Sequence, residues 1–168
     1  MSGVLVWITG FSGTGKTSIA SALCDEMRHH DKSVVHIDGD VIRSLFPGLG
    51  YSMKDRLENA MRIAKICAMI TKQGVNVVCS TISMFSEAHE FNKTQNDKCF
   101  TVIVNTDPEI VKSRDLRGIY TQNKDIIGVT QAYVLPEKPD LIICNNDDNK
   151  QIEQAKKIFQ CIKDKYEL

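Results

Sequence analysis

The segment Gly10-Phe11-Ser12-Gly13-Thr14-Gly15-Lys16-Thr17 follows the pattern G-x-x-x-x-G-K-[ST], so glycines, a lysine and a hydroxyl fall within a few residues of one another. The chemistry open to such a set is the grip of a nucleoside triphosphate by its phosphates. Gly10, Gly13 and Gly15 let the backbone N–H groups of this stretch, Ser12 and Thr14 included, turn inward around a β-phosphate. Lys16 reaches the β- and γ-phosphates and Thr17 ligates magnesium, while the helix start adds positive potential. The motif fits this reading only between a strand and a helix.

A second constellation is Asp38-Gly39-Asp40 with Arg43 shortly after it. An aspartate at a strand end beside a P-loop can orient or deprotonate an acceptor hydroxyl, or hold magnesium through water. The plainer alternative for Asp40 is to cap the helix that follows. A third set, Arg56, Asn59 and Arg62, steps by threes along one helix and forms a polar strip that either grips an anionic nucleotide or faces solvent.

The elements that position these residues can be read from the hydrophobic pattern. Val4 to Thr9 is an apolar, β-branched run ending at Gly10 and predicts a strand buried on both faces. Behind the glycines, Ile19, Ala20, Leu23, Cys24 and Met27 recur at helical spacing from Lys16 onward. Four further short apolar runs, Val34 to Ile37, Val75 to Cys79, Phe100 to Val104 and Leu141 to Cys144, alternate with helical segments. That order predicts an α/β, three-layer P-loop NTPase fold: a five-stranded parallel sheet with helices on both faces. Met53 to Thr71 predicts an amphipathic helix with Ser52 as its N-cap. Gly118 to Pro139 and Asn145 to Asn149 read as irregular, the first as a functional lid.

The chain has 168 residues and 42% hydrophobic composition, which suits a single domain spanning 1–168 with a lid segment around 114–139. Lys plus Arg and Asp plus Glu both total 21, so no global positive field argues for nucleic acid. The run Val4 to Ile8 is far too short for a membrane span, and the expected location is the cytoplasm. Six cysteines without a CxxC pair read as reduced core residues rather than a zinc site.

A P-loop also serves GTPases and motor ATPases, but each predicts further motifs. The near misses to N-K-x-D, at Asn92-Lys93-Thr94-Gln95 and Asn123-Lys124-Asp125, do not fit. The runs ending at Cys79 and Val104 lead into Ser80 and Asn105 rather than an acidic residue. Phosphoryl transfer to a small acceptor under a closing lid is the expectation. A nucleotide-binding regulatory module is disfavoured by the intact set Lys16, Thr17, Asp38 and Asp40.

Several motifs in the same order make the chain resemble the adenylylsulfate (APS) kinase family, whose members transfer a phosphoryl group from ATP to the ribose 3′-hydroxyl of adenosine 5′-phosphosulfate. They are Trp7-Ile8-Thr9-Gly10, Asp38 to Arg43, Leu49-Gly50-Tyr51-Ser52, Asp55 to Asn59, Ser80-Thr81-Ile82-Ser83, Arg114 to Tyr120 and Pro136-Glu137. The resemblance implies ATP with Mg2+, a small-molecule nucleotide acceptor and a homodimer. It implies that Asp38 and Asp40 organise magnesium and activate the acceptor, with Asp40 nearer the 3′-hydroxyl. Arg43, Arg56 and Asn59 would hold the acceptor, with Ser80 and Ile82 alongside. Tyr51 would stack on its base, Ser83 would lie by the phosphates, and Arg114 and Arg117 would belong to the lid over ATP.

The departures from the family fall on the acceptor side. Glu-Asn-Ile-Arg-Arg appears as Glu58-Asn59-Ala60-Met61-Arg62, and Ser-Pro-Tyr-Arg as Ser83-Met84-Phe85-Ser86. Phe-Thr-Gly-Ile-Asp becomes Ile126-Ile127-Gly128-Val129-Thr130, so an aliphatic Ile126 stands at the second wall of the base site. Each lost arginine removes a charge-assisted contact of about 1.5–3 kcal/mol. A terminal group less anionic than sulfate, and a smaller pyrimidine base, would suit such a site. Relatives in some bacterial capsule-modification pathways act on cytidine diphosphoramidate, which the departures fit. An APS kinase with drifted side chains is the other reading.

Overall fold

The computed structural model describes residues 2–114 and 133–167. Its first strand, β1 (Leu5–Thr9), is buried along its whole length because neighbours pair with it on both sides and helices cover both faces. Alternation along it divides the core. Val4, Val6 and Ile8 point to one face, against α1 (Lys16–His29) and the C-terminal helix α6 (Gln151–Tyr166). Leu5 and Trp7 point to the other, against Ile63, Ala64 and Cys67 of α3 (Met53–Thr71). Period-two alternation in a strand thus creates two hydrophobic layers, each fully buried aliphatic side chain contributing about 1.5–3 kcal/mol.

The remaining strands are β2 (Val34–Asp38), β3 (Asn76–Ser80), β4 (Cys99–Asn105) and β5 (Leu141–Cys144). All pair in parallel, in the order β2-β3-β1-β4-β5. The expected five-stranded sheet with helices on both faces is therefore what forms. Because β1 is flanked by β3 and β4, the chain leaves it in one direction and later returns on the other side. The crevice this opens lies at the strands' C-terminal ends. Gly10, Asp38, Ser80, Asn105 and Asn145 all stand at those ends.

Helix starts follow local chemistry. Ser52 and Asp55 form a reciprocal capping box at α3, as the Ser52 expectation required. The short α2 (Gly39–Ser44) is capped by Asp38, whose side chain accepts from the N–H groups of Asp40 and Val41. Capping thus falls on Asp38 and leaves the Asp40 carboxylate exposed in the first turn. α4 (Ser86–Gln95) leads from β3 into β4, and α5 (Pro108–Ser113) begins with proline at its first turn and Asp107 as cap. α1 has no side-chain cap; it starts from Gly15 in the left-handed region at φ 87°, which leaves its first N–H groups available to a ligand.

All six cysteines are free, with Cys24, Cys67 and Cys79 in the core, Cys99 and Cys161 half-buried and Cys144 exposed. Among the described residues no helix is long and apolar enough to cross a membrane.

Candidate active site

Between β1 and α1 the chain wraps into a loop with Gly10, Gly13 and Gly15 all at positive φ. At Gly10 a side chain would strike the Val104 carbonyl oxygen, and at Gly15 it would strike Asn145 Nδ2. Those two glycines are required both by conformation and by close approach.

Lys16, at the first position of α1, is buried and donates to the Phe11 carbonyl at 2.5 Å, so the ammonium lies folded over the loop. Burial lowers its pKa from 10.5 to about 8, opposed by the charges of Asp40 and then Asp38. Those two attractions place both carboxylates within electrostatic reach of the lysine.

Asp38 divides its two oxygens. Oδ1 accepts from the N–H groups of Asp40 at 2.9 Å and Val41 at 3.3 Å. Oδ2 accepts from Thr17 Oγ1 at 2.8 Å and Ser80 Oγ at 2.9 Å. Burial alone would raise the Asp38 pKa, but these four hydrogen bonds outweigh it and hold the carboxyl below its ordinary value. One hydroxyl and one ionised carboxylate meeting beside a phosphate loop suit a hard divalent ion that keeps waters and phosphate oxygens as its other ligands. The described residues contain no cluster of three His, Cys, Asp or Glu side chains able to bind a metal by themselves.

Ser80 was expected beside the acceptor. Its hydroxyl is engaged with Asp38 on one side and His36 Nε2 at 2.9 Å on the other, and the residue is 3% exposed. Ser83 is buried, with its hydroxyl 2.7 Å from Thr81 Oγ1 and its carbonyl 3.2 Å from His89 Nε2. Half-buried Ile82 presents its carbonyl to Thr9 Oγ1 at 2.7 Å, which ties this segment to the end of β1.

On the acceptor side, Tyr51 is 57% exposed and stands between two guanidinium groups, Arg43 at 4.8 Å and Arg56 at 5.2 Å from its ring. Arg43 also donates to the Gly50 carbonyl at 2.6 Å and Arg56 to the Tyr51 carbonyl at 2.9 Å. The loop before α3 is thus held from both helices by the residues expected to hold the acceptor. Asn59 turns inward, 5% exposed, with Oδ1 unpartnered among the described residues. Arg62 pairs with Glu58 at 2.7 Å and lies 4.0 Å over the Phe46 ring.

Arg114, at the root of the expected lid, donates to the Asn145 carbonyl at 3.1 Å and pairs with Asp148 at 2.8 Å. Arg117 and Ile126 lie outside the described residues, as does the lid between Arg114 and Tyr133. Tyr133 itself meets Phe11 of the phosphate loop edge-on, with ring centres 5.0 Å apart.

Sequence reasoning missed Asn145. It is fully buried, donates from Nδ2 to the Thr14 carbonyl at 2.8 Å, and receives Thr106 Oγ1 on its own carbonyl at 3.0 Å. It therefore braces the phosphate loop from the last strand. Its position at the C-terminal end of a parallel strand was the available signal.

A sequence model of the family described as adenylylsulphate kinase matches residues 2–144. The chain belongs to the adenylylsulphate kinase family. It is 31% identical over 160 residues to the cytidine diphosphoramidate kinase of Campylobacter jejuni, covering 93% of this chain and 94% of that one. It is 35% identical over 163 residues to the adenylyl-sulfate kinase of Gloeothece citriformis, with 94% and 92% coverage. Among solved structures, the Mycobacterium tuberculosis APS kinase CysC in complex with AMPPNP and APS superposes with a TM-score of 0.85 at 28% identity, covering 96% and 98%.

This adenylylsulphate kinase family member is accordingly a phosphotransferase, an APS-kinase-like nucleotide kinase. Among the described residues, the departures Ala60, Met61 and Phe85 meet in one cluster. Phe85 is buried with Ala60 and Ala88, and Met61 and Leu57 pack against that group. Met84 is buried too, at 1% exposure. Where the family pattern places arginines, this member has Met61, packed into a small apolar wall between α3 and α4, and Ser86, exposed at the start of α4.

Proposed function

We propose that this kinase uses ATP to phosphorylate the ribose 3′-hydroxyl of cytidine diphosphoramidate or a close analogue. The observation that carries the acceptor assignment is Met61, which packs on the Phe85 cluster at a position where the family pattern has an arginine, with Ser86 at the other such position. The similarity to the Campylobacter jejuni kinase supports it. Sulfate and a terminal phosphoramidate each carry about one negative charge. The amide, however, has N–H donors where sulfate has only acceptors, so it depends less on arginine and more on neutral acceptors. Charge alone is thus a weaker discriminator than the sequence pattern suggests, and hydrogen-bond character is the stronger one.

In this reading the N–H groups of the Gly10 to Thr17 loop cradle the donor phosphates, and Lys16 transfers its charge from the Phe11 carbonyl to them. Thr17 and Asp38 hold Mg2+, which when bound neutralises phosphate charge. Asp40 orients the 3′-hydroxyl and accepts its proton. Arg43, Arg56 and Asn59 hold the acceptor phosphates, with Tyr51 and Ile126 at its base. Arg114 and Arg117 belong to the donor-side lid. A homodimer in the cytoplasm is part of the same reading.

The second reading is adenylyl-sulfate kinase activity, favoured by the 35% identity to the Gloeothece citriformis enzyme and by the superposition on an APS complex. Incubation with ATP, Mg2+ and cytidine diphosphoramidate, followed by phosphorus NMR of the product, tests the first. A new phosphate resonance coupled to the ribose H3′ is expected; a product phosphorylated elsewhere, or none, defeats it.

A further inference from the structure

The register of two strands sets up a hydrogen-bond relay behind Asp38. In the parallel pairing of β2 with β3, His36 stands opposite Val78 and Asp38 opposite Ser80. Residues two apart in a strand share a face, so His36 and Asp38 flank Ser80 on the same side of the sheet. The Ser80 hydroxyl lies 2.9 Å from Asp38 Oδ2 and 2.9 Å from His36 Nε2.

Donor and acceptor accounting then orders the relay. A serine hydroxyl has one proton, and an ionised carboxylate can only accept. Ser80 therefore spends its proton on Asp38, and His36 must donate to the Ser80 oxygen through Nε2–H. The reverse orientation would leave two lone-pair bearers facing each other at the Asp38 end. The same Oδ2 receives Thr17 from the other side, so it is fixed between the phosphate loop and β3.

We propose that His36 is a positioning residue of this kinase: through Nε2–H it holds Ser80, and through Ser80 it fixes the Asp38 oxygen that faces Thr17. The proposal rests on the role of Asp38 given under Proposed function, but not on which nucleotide is the acceptor. His36 touches neither donor nor acceptor in this account. It limits the orientations open to Ser80, and a freely rotating Ser80 would leave Asp38 Oδ2 held by Thr17 alone.

A double-mutant cycle tests the relay with whichever nucleotide the enzyme turns over. His36→Leu should lower kcat about fivefold and Ser80→Ala about tenfold, the range expected for one neutral and one charge-assisted hydrogen bond. The KM values for ATP and acceptor should both stay within about twofold. In the Ser80→Ala background, His36→Leu should have no further effect, because its only route to Asp38 is already cut. An unchanged kcat for His36→Leu, or an equal loss in both backgrounds, overturns the proposal. A second measurement needs no variant. In nitrogen-15 spectra of the wild-type protein the His36 ring should carry its proton on Nε2, and an Nδ1–H tautomer contradicts the relay even if His36→Leu fails to fold. Failure of the Asp38 role itself shows separately, as full activity in Asp38→Ser.

Discussion

The Thr17 hydroxyl donates to the Asp38 carboxylate at 2.8 Å, which joins the first turn of α1 to the end of β2 across the mouth of the site. The same carboxylate caps α2 with its other oxygen. One side chain therefore has a structural half and a chemical half, and the two can be separated. Asp38→Ser keeps a capping oxygen, so its stability should fall by about 1–3 kcal/mol, from the lost contacts to Thr17 and Ser80 rather than from the cap. Its turnover should fall at least about a hundredfold, in keeping with removal of a charged group from a phosphoryl-transfer site. Thermal melting and steady-state assays read the two effects. The carboxyl is held below its ordinary 3.8, so its stabilising contribution is complete above that pH and fades as pH falls beneath it. Asp38→Ser should accordingly lose less stability on acidification than the wild type.

Lys16 gives a pH dependence of the same sign in an alkaline window. Its pKa is about 8 in the fold because burial penalises the charged form, whereas the unfolded chain keeps the proton up to 10.5. Between those values the unfolded chain binds more protons, so the stability of the ligand-free protein gains a term that grows with pH. Melting temperatures of the wild type should rise relative to Lys16→Met across that interval. Phosphates beside Lys16 restore its proton, so ATP binding near about pH 9 should take up a proton in the wild type and none in Lys16→Met. Calorimetry in buffers of different ionisation enthalpy measures this directly.

The apolar wall predicts a reversible specificity. Replacing Met61 and Ser86 together by arginine should raise kcat/KM for adenosine 5′-phosphosulfate relative to cytidine diphosphoramidate by about tenfold or more, since sulfate offers the arginines only acceptors where the amide presents N–H donors, and a charge-assisted contact contributes about 1.5–3 kcal/mol. Stability should drop slightly, because Met61 packs against the Phe85 cluster. An unaltered ratio would remove the wall from the specificity argument.

The phosphate loop was legible in the sequence because its requirements are local: glycines at positive φ between a buried strand and an amphipathic helix. The sheet was legible for the same reason, since five apolar runs of strand length can hardly be placed otherwise. What escaped depends on partners far apart in the chain. Asn145 braces Thr14 across 131 residues, and apart from its place at the end of a strand no local pattern in the tract Asn145 to Asn149 points to that contact. Ser80 was expected at the acceptor because its motif is there, yet its hydroxyl is used by Asp38 and His36. His36 was visible as the polar residue in an otherwise apolar run, but its use depends on strand register. Helix α5 went unnoticed because six residues are too few for a periodic signal, although Asp107-Pro108 marks its start.

The acceptor is the centre of the account, and one comparison tests it most directly: kcat/KM for cytidine diphosphoramidate and for adenosine 5′-phosphosulfate, measured side by side with saturating ATP and Mg2+. A clear preference for cytidine diphosphoramidate is the predicted result, and a much higher kcat/KM for adenosine 5′-phosphosulfate would contradict it.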